Sequence, residues 1–244
     1  MEIKKSRDTI QSLEIGISIL DVIAQAKRPL KITEIHEKTK ITKSNLYKYI
    51  NTLTRSSLIY RDEHTGMYHL GSKLIQYGMT AIGSKDILTS ITPYLQSISD
   101  YSGNTVIFSI PTWNGPLIAR IKHSNQILNI GAELGTILPP NSSAGKIYYA
   151  FSDKAAAKEY LEKFPFSIKE DLLEIHKIRE EKIAFAKEPL ISEVSSVSIP
   201  VLNYTSELIG IITVVGFTSN IPDTTDNPLS KYLQQMQAKI SREC

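Results

Sequence analysis

The run from Leu30 to Leu70, LKITEIHEKTKITKSNLYKYINTLTRSSLIYRDEHTGMYHL, restricts the fold more than any other part of the chain. From Lys43 to Ser56 the residues Leu46, Ile50 and Leu53 fall at i, i+4 and i+7, the spacing of a helix with one inward face. Ser44, Lys48, Asn51 and Arg55 then point outward, with Asn45 and Tyr47 at the flanks. A preceding helix, about Thr33 to Thr39, adds Ile35 to the same core. Lys40-Ile41-Thr42 forms the turn, and Thr42 is expected to cap the second helix. Ser57 to Leu70 reads as strand, turn and strand, with Ile59, Tyr60, Met67 and Tyr68 in the arms and His64-Thr65-Gly66 at the turn. Two short helices, a tight turn and a hairpin make a winged helix-turn-helix.

An outward polar helix face is often only solvated, so the charge of the stretch matters. Between Lys31 and Arg55 stand six basic residues (Lys31, Lys38, Lys40, Lys43, Lys48, Arg55) and two acidic ones (Glu34, Glu37). A surface of that sign attracts phosphate, and hydroxyl, amide and cationic groups on one helix face suit a major groove. Arg61 and His64 would lie on the wing beside the duplex. The basic excess is local: residues 1–80 hold 13 Lys and Arg against 8 Asp and Glu, whereas the remainder holds 15 against 17. That asymmetry suits one nucleic-acid-binding module joined to a domain with another task.

A first helix from about Thr9 to Ala26 carries two apolar stripes. Leu13, Ile17, Leu20 and Ala24 are expected to pack on the helix-turn-helix core, and Ile15, Ile19 and Val22 to form a subunit contact. A helical connector spans Ser72 to Ser84, and another helix runs from Asp86 to about Gly103, where Pro93 must kink or restart it. Strands are expected at Thr105 to Ile110, Pro116 to His123 and Gln126 to Ile130. Helices follow at Ser143 to Phe151, Asp153 to Phe164 and Lys169 to Ala186. An antiparallel pair covers Val194 to Leu202 and Glu207 to Phe217, and a last helix covers Pro228 to Arg242. Strands and helices mix without strict alternation, which indicates an α+β fold with an antiparallel sheet. The expected division is 1–71 for the winged domain, 72–85 for the helical linker and 86–244 for the second domain.

The single cysteine, Cys244, has no internal partner, which fits a reducing compartment. The N-terminus MEIKKSRDTI lacks an apolar signal core, and no run reaches the roughly 18 apolar residues of a membrane span. A cytoplasmic protein with no membrane partner is expected. The five histidines (His36, His64, His69, His123, His176) lie apart, with no HExxH, no paired metal spacing and no GxSxG elbow. Neither catalysis, a metal nor a cofactor is therefore expected. Pro139-Pro140-Asn141-Ser142-Ser143-Ala144-Gly145-Lys146 leads into a helix N-terminus, where free backbone donors and serine hydroxyls attract oxygen-rich groups. A phosphate-binding loop reading of the same run fails, because Pro140 replaces the earlier glycine and Ile147 replaces the magnesium-binding hydroxyl.

Several of these runs together resemble the IclR family of transcriptional regulators. They are Ser12-Leu13-Glu14 with Ile19-Leu20, then ITEIHEKTKITKSNLYKYINTL, then the aspartate and glycine of YRDEHTGMYHLGSKLIQYG. The resemblance implies a GAF-like effector-binding domain after the helical linker, its antiparallel sheet flanked by helices. It places the family's DNA-reading Ser/Thr pair on Ser44 and Asn45, its aromatic or histidine on Tyr47, and its usual arginine on Lys48. An ammonium acts more as a point charge than a guanidinium does, so base reading at Lys48 is expected to be weaker. The expected DNA-contacting set is Thr42, Lys43, Ser44, Asn45, Tyr47, Lys48, Arg61 and His64.

The resemblance also places effector-pocket residues at Ser142, Ser143 and Ala144, at Ser196, and at Thr213 and Val215. This chain departs from the family where an acidic segment becomes Phe185 to Leu190, leaving Ala186 or Lys187, and where an arginine becomes Ser195. These departures predict a ligand larger or less polar than a small oxo acid. The reading as a whole is a DNA-binding regulator, a repressor rather than an activator, modulated by a small-molecule effector. It would form a homodimer through its amino-terminal domain, with a dimer of dimers as an extension. Two rivals remain at this point: a winged-helix module that binds protein, and an enzyme with an accessory DNA-binding domain.

Overall fold

The computed structural model describes residues 9–82, 87–124, 133–164 and 172–243. Its chain divides into two compact units, Met1–Lys85 and Asp86–Cys244. The expected strand at Gln126 to Ile130, the Asp86 helix start and Cys244 lie outside the described residues.

In the first unit, α1 (Gln11–Gln25), α2 (Ile32–Thr39) and α3 (Lys43–Arg55) precede β1 (Ile59–Arg61), β2 (Tyr68–Leu70) and α4 (Ser72–Ile82). Leu46, Ile50 and Leu53 of α3 are buried with Ile35, as their spacing dictates. The hairpin pairs antiparallel, Ile59 with Leu70 and Arg61 with Tyr68. Its second arm also bonds the chain ahead of α2, since the Tyr68 N–H donates to the Leu30 carbonyl at 2.8 Å and Leu30 returns the bond at 3.1 Å. The wing is thereby fixed to the helical core.

Apart from Leu20, which packs on the core as expected, the two stripes of α1 are exchanged relative to expectation. Ile19 and Ile23 are buried with Ile15, Leu20 and Val22 packed beside them, whereas Leu13 and Ile17 are 61% and 48% exposed. Ile23 decides the matter. It continues the Ile15–Ile19 row at i+4 with a full-sized aliphatic, while the Leu13–Ile17 row ends on the small Ala24, which buries little.

The second unit opens with α5 (Ile87–Ser102), one helix that carries Pro93 without interruption. Then follow β3 (Thr105–Thr112), β4 (Gly115–Lys122), α6 (Ser143–Phe151), α7 (Lys154–Glu162), α8 (Leu172–Glu181), β5 (Ala184–Ala186), β6 (Val194–Leu202), β7 (Leu208–Phe217) and α9 (Pro228–Glu243). The strands form an antiparallel sheet in the order β4-β3-β7-β6-β5. This is the expected α+β architecture, with one correction: Ala184–Ala186 is an edge strand rather than the end of a helix. Lys182 takes a positive φ of 53°, which ends α8, and Phe185 then pairs with Val197 across the sheet.

Alternation along each strand gives the sheet two faces. Val106, Phe108, Val197, Ile199, Ile212 and Val214 share a core with Ile91, Leu95 and Ile98 of α5 and Leu233 and Ile240 of α9. The opposite face meets α6, whose Ala144, Ile147 and Tyr148 pack with Ile211 and Ala184. It is on this second face that hydroxyl side chains replace aliphatics.

The corrected α1 packing has a direct test. Ile19→Ala should lower the opening free energy of α3 amides by roughly 2–4 kcal/mol, the range for a buried aliphatic truncation, read by native-state hydrogen exchange. Unchanged protection would contradict this packing.

Candidate nucleic-acid interface and effector cavity

The helix-turn-helix turn is built by local bonds. Lys40 ends α2 in the left-handed region, with φ 58°, and its N–H donates to the His36 carbonyl at 2.9 Å. His36 Nδ1 donates to the Ile41 carbonyl at 2.6 Å, so this half-buried histidine staples the turn instead of facing solvent or phosphate. At the entry to α2, the Lys31 N–H donates to Glu34 Oε2 at 2.8 Å, and Arg28 pairs with the other carboxylate oxygen at 2.7 Å. The Arg28 hydrogen bond and that backbone donor hold the Glu34 carboxyl below the usual carboxylate range. Thr42 occupies the N-cap position of α3, but its hydroxyl makes no capping bond, contrary to the sequence expectation.

Thr42, Lys43, Ser44, Asn45, Tyr47 and Lys48 are all exposed within the chain, as are Asn51 and Arg55 farther along α3. Ser44, Lys48, Asn51 and Arg55 form a ridge opposite Leu46, Ile50 and Leu53, with Lys43, Asn45 and Tyr47 at its flanks and Thr42 at its start. On the wing, Asp62 Oδ1 accepts from the His64 N–H at 2.7 Å and the Thr65 N–H at 3.0 Å, and Gly66 turns the chain at φ 69°. His64 is exposed at the tip. Arg61 is exposed as well, but it folds back over the loop, its Nε donating to the Gly66 carbonyl at 3.4 Å. A Cβ at Gly66 would sit 3.2 Å from that guanidinium. The structure therefore brings the α3 residues together on one surface and sets His64 and Arg61 on the adjoining hairpin.

The second unit holds a cavity of about 290 Å³ between the sheet, the entry to α6 and the loop before β6. Of the residues expected there, Ser142, Ala144, Ser196, Thr213 and Val215 line it. Ser143 does not. Its side chain is fully buried behind the lining, bonded to Ser196 Oγ at 2.8 Å and to Ser198 Oγ at 2.7 Å. Ser198 in turn bonds Thr213 Oγ1 at 2.8 Å, so four hydroxyls run in a row from β7 through β6 to α6.

Sequence reasoning missed much of the apolar wall, including Ile107, Ile118 and Leu138, and it missed Pro189, Leu190 and Ile191 of the covering loop. Alternation would have found Ile107, which shares the β3 face of Ser109. The loop residues carry no periodic signal. Neither Ala186 nor Lys187 lines the cavity, so the departure noted at those positions acts elsewhere.

The α6 entry loop is pressed close to its helix. A Cβ at Gly145 would lie 2.2 Å from the Pro139 carbonyl oxygen, which makes glycine obligatory there. Ser142 caps α6 by accepting from the Gly145 N–H at 3.0 Å while donating to the Pro139 carbonyl at 2.7 Å. The Tyr160 hydroxyl donates to the Leu138 carbonyl at 2.6 Å, and burial pushes its pKa well up, so it stays protonated. Asn141 Nδ2 donates to the Pro189 carbonyl at 2.6 Å, tying the two loops that roof the cavity. Lys146 is committed to Glu174 at 2.6 Å and to the Phe185 carbonyl at 3.0 Å. No charged side chain among the described residues lines the cavity. Among the described residues, no group of three or more His, Cys, Asp or Glu could hold a metal, and no helix is long and apolar enough to cross a membrane.

Comparison with known proteins adds the following. Residues 79–242 match the family model described as bacterial transcriptional regulator IclR C-terminal, and residues 12–63 match the IclR helix-turn-helix domain. The chain is 28% identical over 244 residues to the HTH-type transcriptional regulator XynR of Escherichia coli K12, covering 96% of each protein. It is 24% identical to the DNA-binding transcriptional repressor YiaJ of the same strain, covering 96% of this chain and 87% of that one. In fold it is similar to an IclR homolog from Microbacterium hydrocarbonoxydans crystallised with 4-hydroxybenzoate, with a TM-score of 0.74 at 14% identity over 95% of this chain and 98% of that one.

The wing turn should respond to acid. Backbone donors, Thr65 first and His64 second, hold the Asp62 pKa below its ordinary 3.8. A depressed pKa contributes order that is complete above the ordinary value and is lost as pH falls through the folded one. Amide exchange at His64 and Thr65, corrected for its intrinsic pH dependence, should accelerate only below about pH 4, and Asp62→Ala should bring the fast exchange to neutral pH.

Proposed function

Because the chain belongs to the IclR family of bacterial transcriptional regulators, we propose that its α3 ridge reads a two-fold related DNA operator and that a small effector held in the cavity biases that binding. The observation that carries the reading is the division of α3 into a buried side (Leu46, Ile50, Leu53) and an exposed side (Ser44, Asn45, Tyr47, Lys48). A helix so divided enters a major groove without disturbing its own core. Ser44 and Asn45 supply hydrogen-bonding groups for base edges, and Lys43 and Lys48 supply charge for phosphate. Thr42 and His64 contact the backbone at the two margins, and Arg61, folded over Gly66, must swing outward to reach phosphate.

The operator is two-fold because the regulator is a homodimer. The support is apolar surface that the first unit leaves uncovered: Leu13 and Ile17 on α1, and Ile75, Tyr77 and Met79 on α4, each between 48% and 69% exposed. Such residues on two helices of one small unit mark an interaction face more than a solvated one. A dimer of dimers is the natural extension. The chain acts in the cytoplasm as a repressor and not as an enzyme, a reading supported by the role in the name of its relative YiaJ.

Effector control is a population shift. The ligand occupies the cavity formed by Ser142, Ala144, Ser196, Thr213 and Val215, with Ser143 behind it. It acts only to the extent that it prefers one arrangement of the two DNA-binding heads. The apolar walls, with no charged residue in the lining among the described residues, favour an apolar-bodied ligand over a small oxo acid.

Selection of bound genomic fragments by the purified protein should recover a two-fold related sequence. On that fragment, Lys48→Ala should weaken binding and reduce the magnitude of the salt slope by about one. Retention of both affinity and slope would overturn the placement of α3 on DNA and favour a winged module that binds protein.

A further inference from the structure

We propose that, among the described residues, Ser196 holds the one side-chain hydroxyl hydrogen that the buried cavity wall can offer a ligand, so that the effector is an apolar-bodied molecule presenting an oxygen acceptor at Ser196. The inference rests on the effector-site reading above and specifies the ligand class for that site.

Each serine or threonine hydroxyl has one hydrogen to donate and two lone pairs. Ser143 Oγ donates to Ser196 Oγ at 2.8 Å, and its hydrogen is thereby used. In the 2.7 Å bond between Ser143 and Ser198, Ser198 is then the donor. Its own hydrogen spent, Ser198 accepts in the 2.8 Å bond with Thr213, and Thr213 donates. The row runs one way, from Thr213 through Ser198 and Ser143 to Ser196, and the hydrogen left over belongs to Ser196.

The other buried lining hydroxyls are accounted for in the same way. Ser142 donates to the Pro139 carbonyl at 2.7 Å. Thr218 Oγ1 donates to Glu188 Oε1 at 3.1 Å, so Ser195 is the donor in its 2.8 Å bond with Thr218. Of the four buried lining hydroxyls, Ser142, Ser195, Ser196 and Thr213, three have committed their hydrogens inside the protein; the fifth lining hydroxyl, Thr136, is exposed and lies outside the buried wall.

The ligand chemistry follows. An acceptor oxygen at Ser196 completes a run of hydroxyls that all donate in one direction, and such runs strengthen one another. Among the described residues a cationic ligand finds no carboxylate in the lining and would be desolvated without compensation. Both a neutral carbonyl and a carboxylate carry the required acceptor, and probes of matched shape tell them apart. Acetophenone and ethylbenzene differ by a carbonyl in place of a methylene, benzoate carries the anionic acceptor, and 1-phenylethylammonium carries only donors.

Titration of the full-length protein with these four probes, followed by NMR, tests the proposal. Acetophenone should bind roughly three- to tenfold more tightly than ethylbenzene, the range of one net hydrogen bond, and the ammonium should bind least. Ser196→Ala should remove the advantage of acetophenone while sparing ethylbenzene, and the loss should exceed that caused by Thr213→Val. Benzoate binding above or below acetophenone assigns the acceptor as anionic or neutral, and either result supports the proposal if it depends on Ser196. Equal affinity for acetophenone and ethylbenzene, or a greater loss at Thr213 than at Ser196, overturns it and leaves the effector cavity in place. Absence of saturable binding by any probe overturns the effector-site reading, and this inference with it. If Ser196→Ala does not fold, the contrast between the two neutral probes in the unaltered protein decides.

Discussion

A helix can face a protein core and a nucleic-acid groove at once only if its two sides are chemically separate and its axis is held from behind. Leu46, Ile50 and Leu53 provide the hold, buried against Ile19, Ile23 and Ile35. Each neighbouring device serves that restraint. The His36 staple and the left-handed Lys40 fix the turn into α3, and the Leu30–Tyr68 bonds fix the wing to the same core. The outward residues are positioned because the inward ones cannot rotate, and burial of those side chains is worth about 2 kcal/mol each.

The second unit solves a different problem with the same alternation. One face of its sheet is aliphatic and packs on α5 and α9, while the α6 face substitutes Ser109, Ser196, Ser198 and Thr213 for aliphatics. Buried hydroxyls are costly unless they bond one another, and three of these four do so through Ser143. The row of hydroxyls thus links β7, β6 and α6, and it ends on a cavity whose other walls are apolar. A ligand touching Ser196 contacts a chain of bonds that reaches α6 directly.

Much of this was legible in the sequence, for definite reasons. The i, i+4, i+7 spacing of α3 has a single solution, and the turn run Asn203-Tyr204-Thr205-Ser206 between two strand-forming segments indicates their antiparallel pairing. Where two solutions existed, the sequence alone chose badly. On α1 both stripes are aliphatic, and Ile23 tipped the balance. At Ala184–Ala186 three small or aromatic residues continued a helical pattern until partner strand β6 claimed them. The cavity was legible where strand residues and a helix start converge, at Ser142, Ala144, Ser196, Thr213 and Val215. It was illegible at Pro189–Ile191, because a loop's position depends on tertiary bonds such as Asn141 to Pro189. Ser143 shows the remaining gap: its neighbours Ser142 and Ala144 both line the cavity, while Ser143 is drawn behind the wall by its bonds to Ser196 and Ser198, which only the tertiary fold brings near.

Hydroxyl-radical labelling of the full-length protein, alone and bound to a genomically selected DNA fragment, addresses the central claim most directly. Tyr47 is half exposed on the outward side of α3, and Tyr204 is 86% exposed on the second unit. Binding should suppress oxidation of Tyr47 and leave that of Tyr204 as it was. Undiminished labelling of Tyr47 on a fully bound fragment would mean that DNA is read by some surface other than α3.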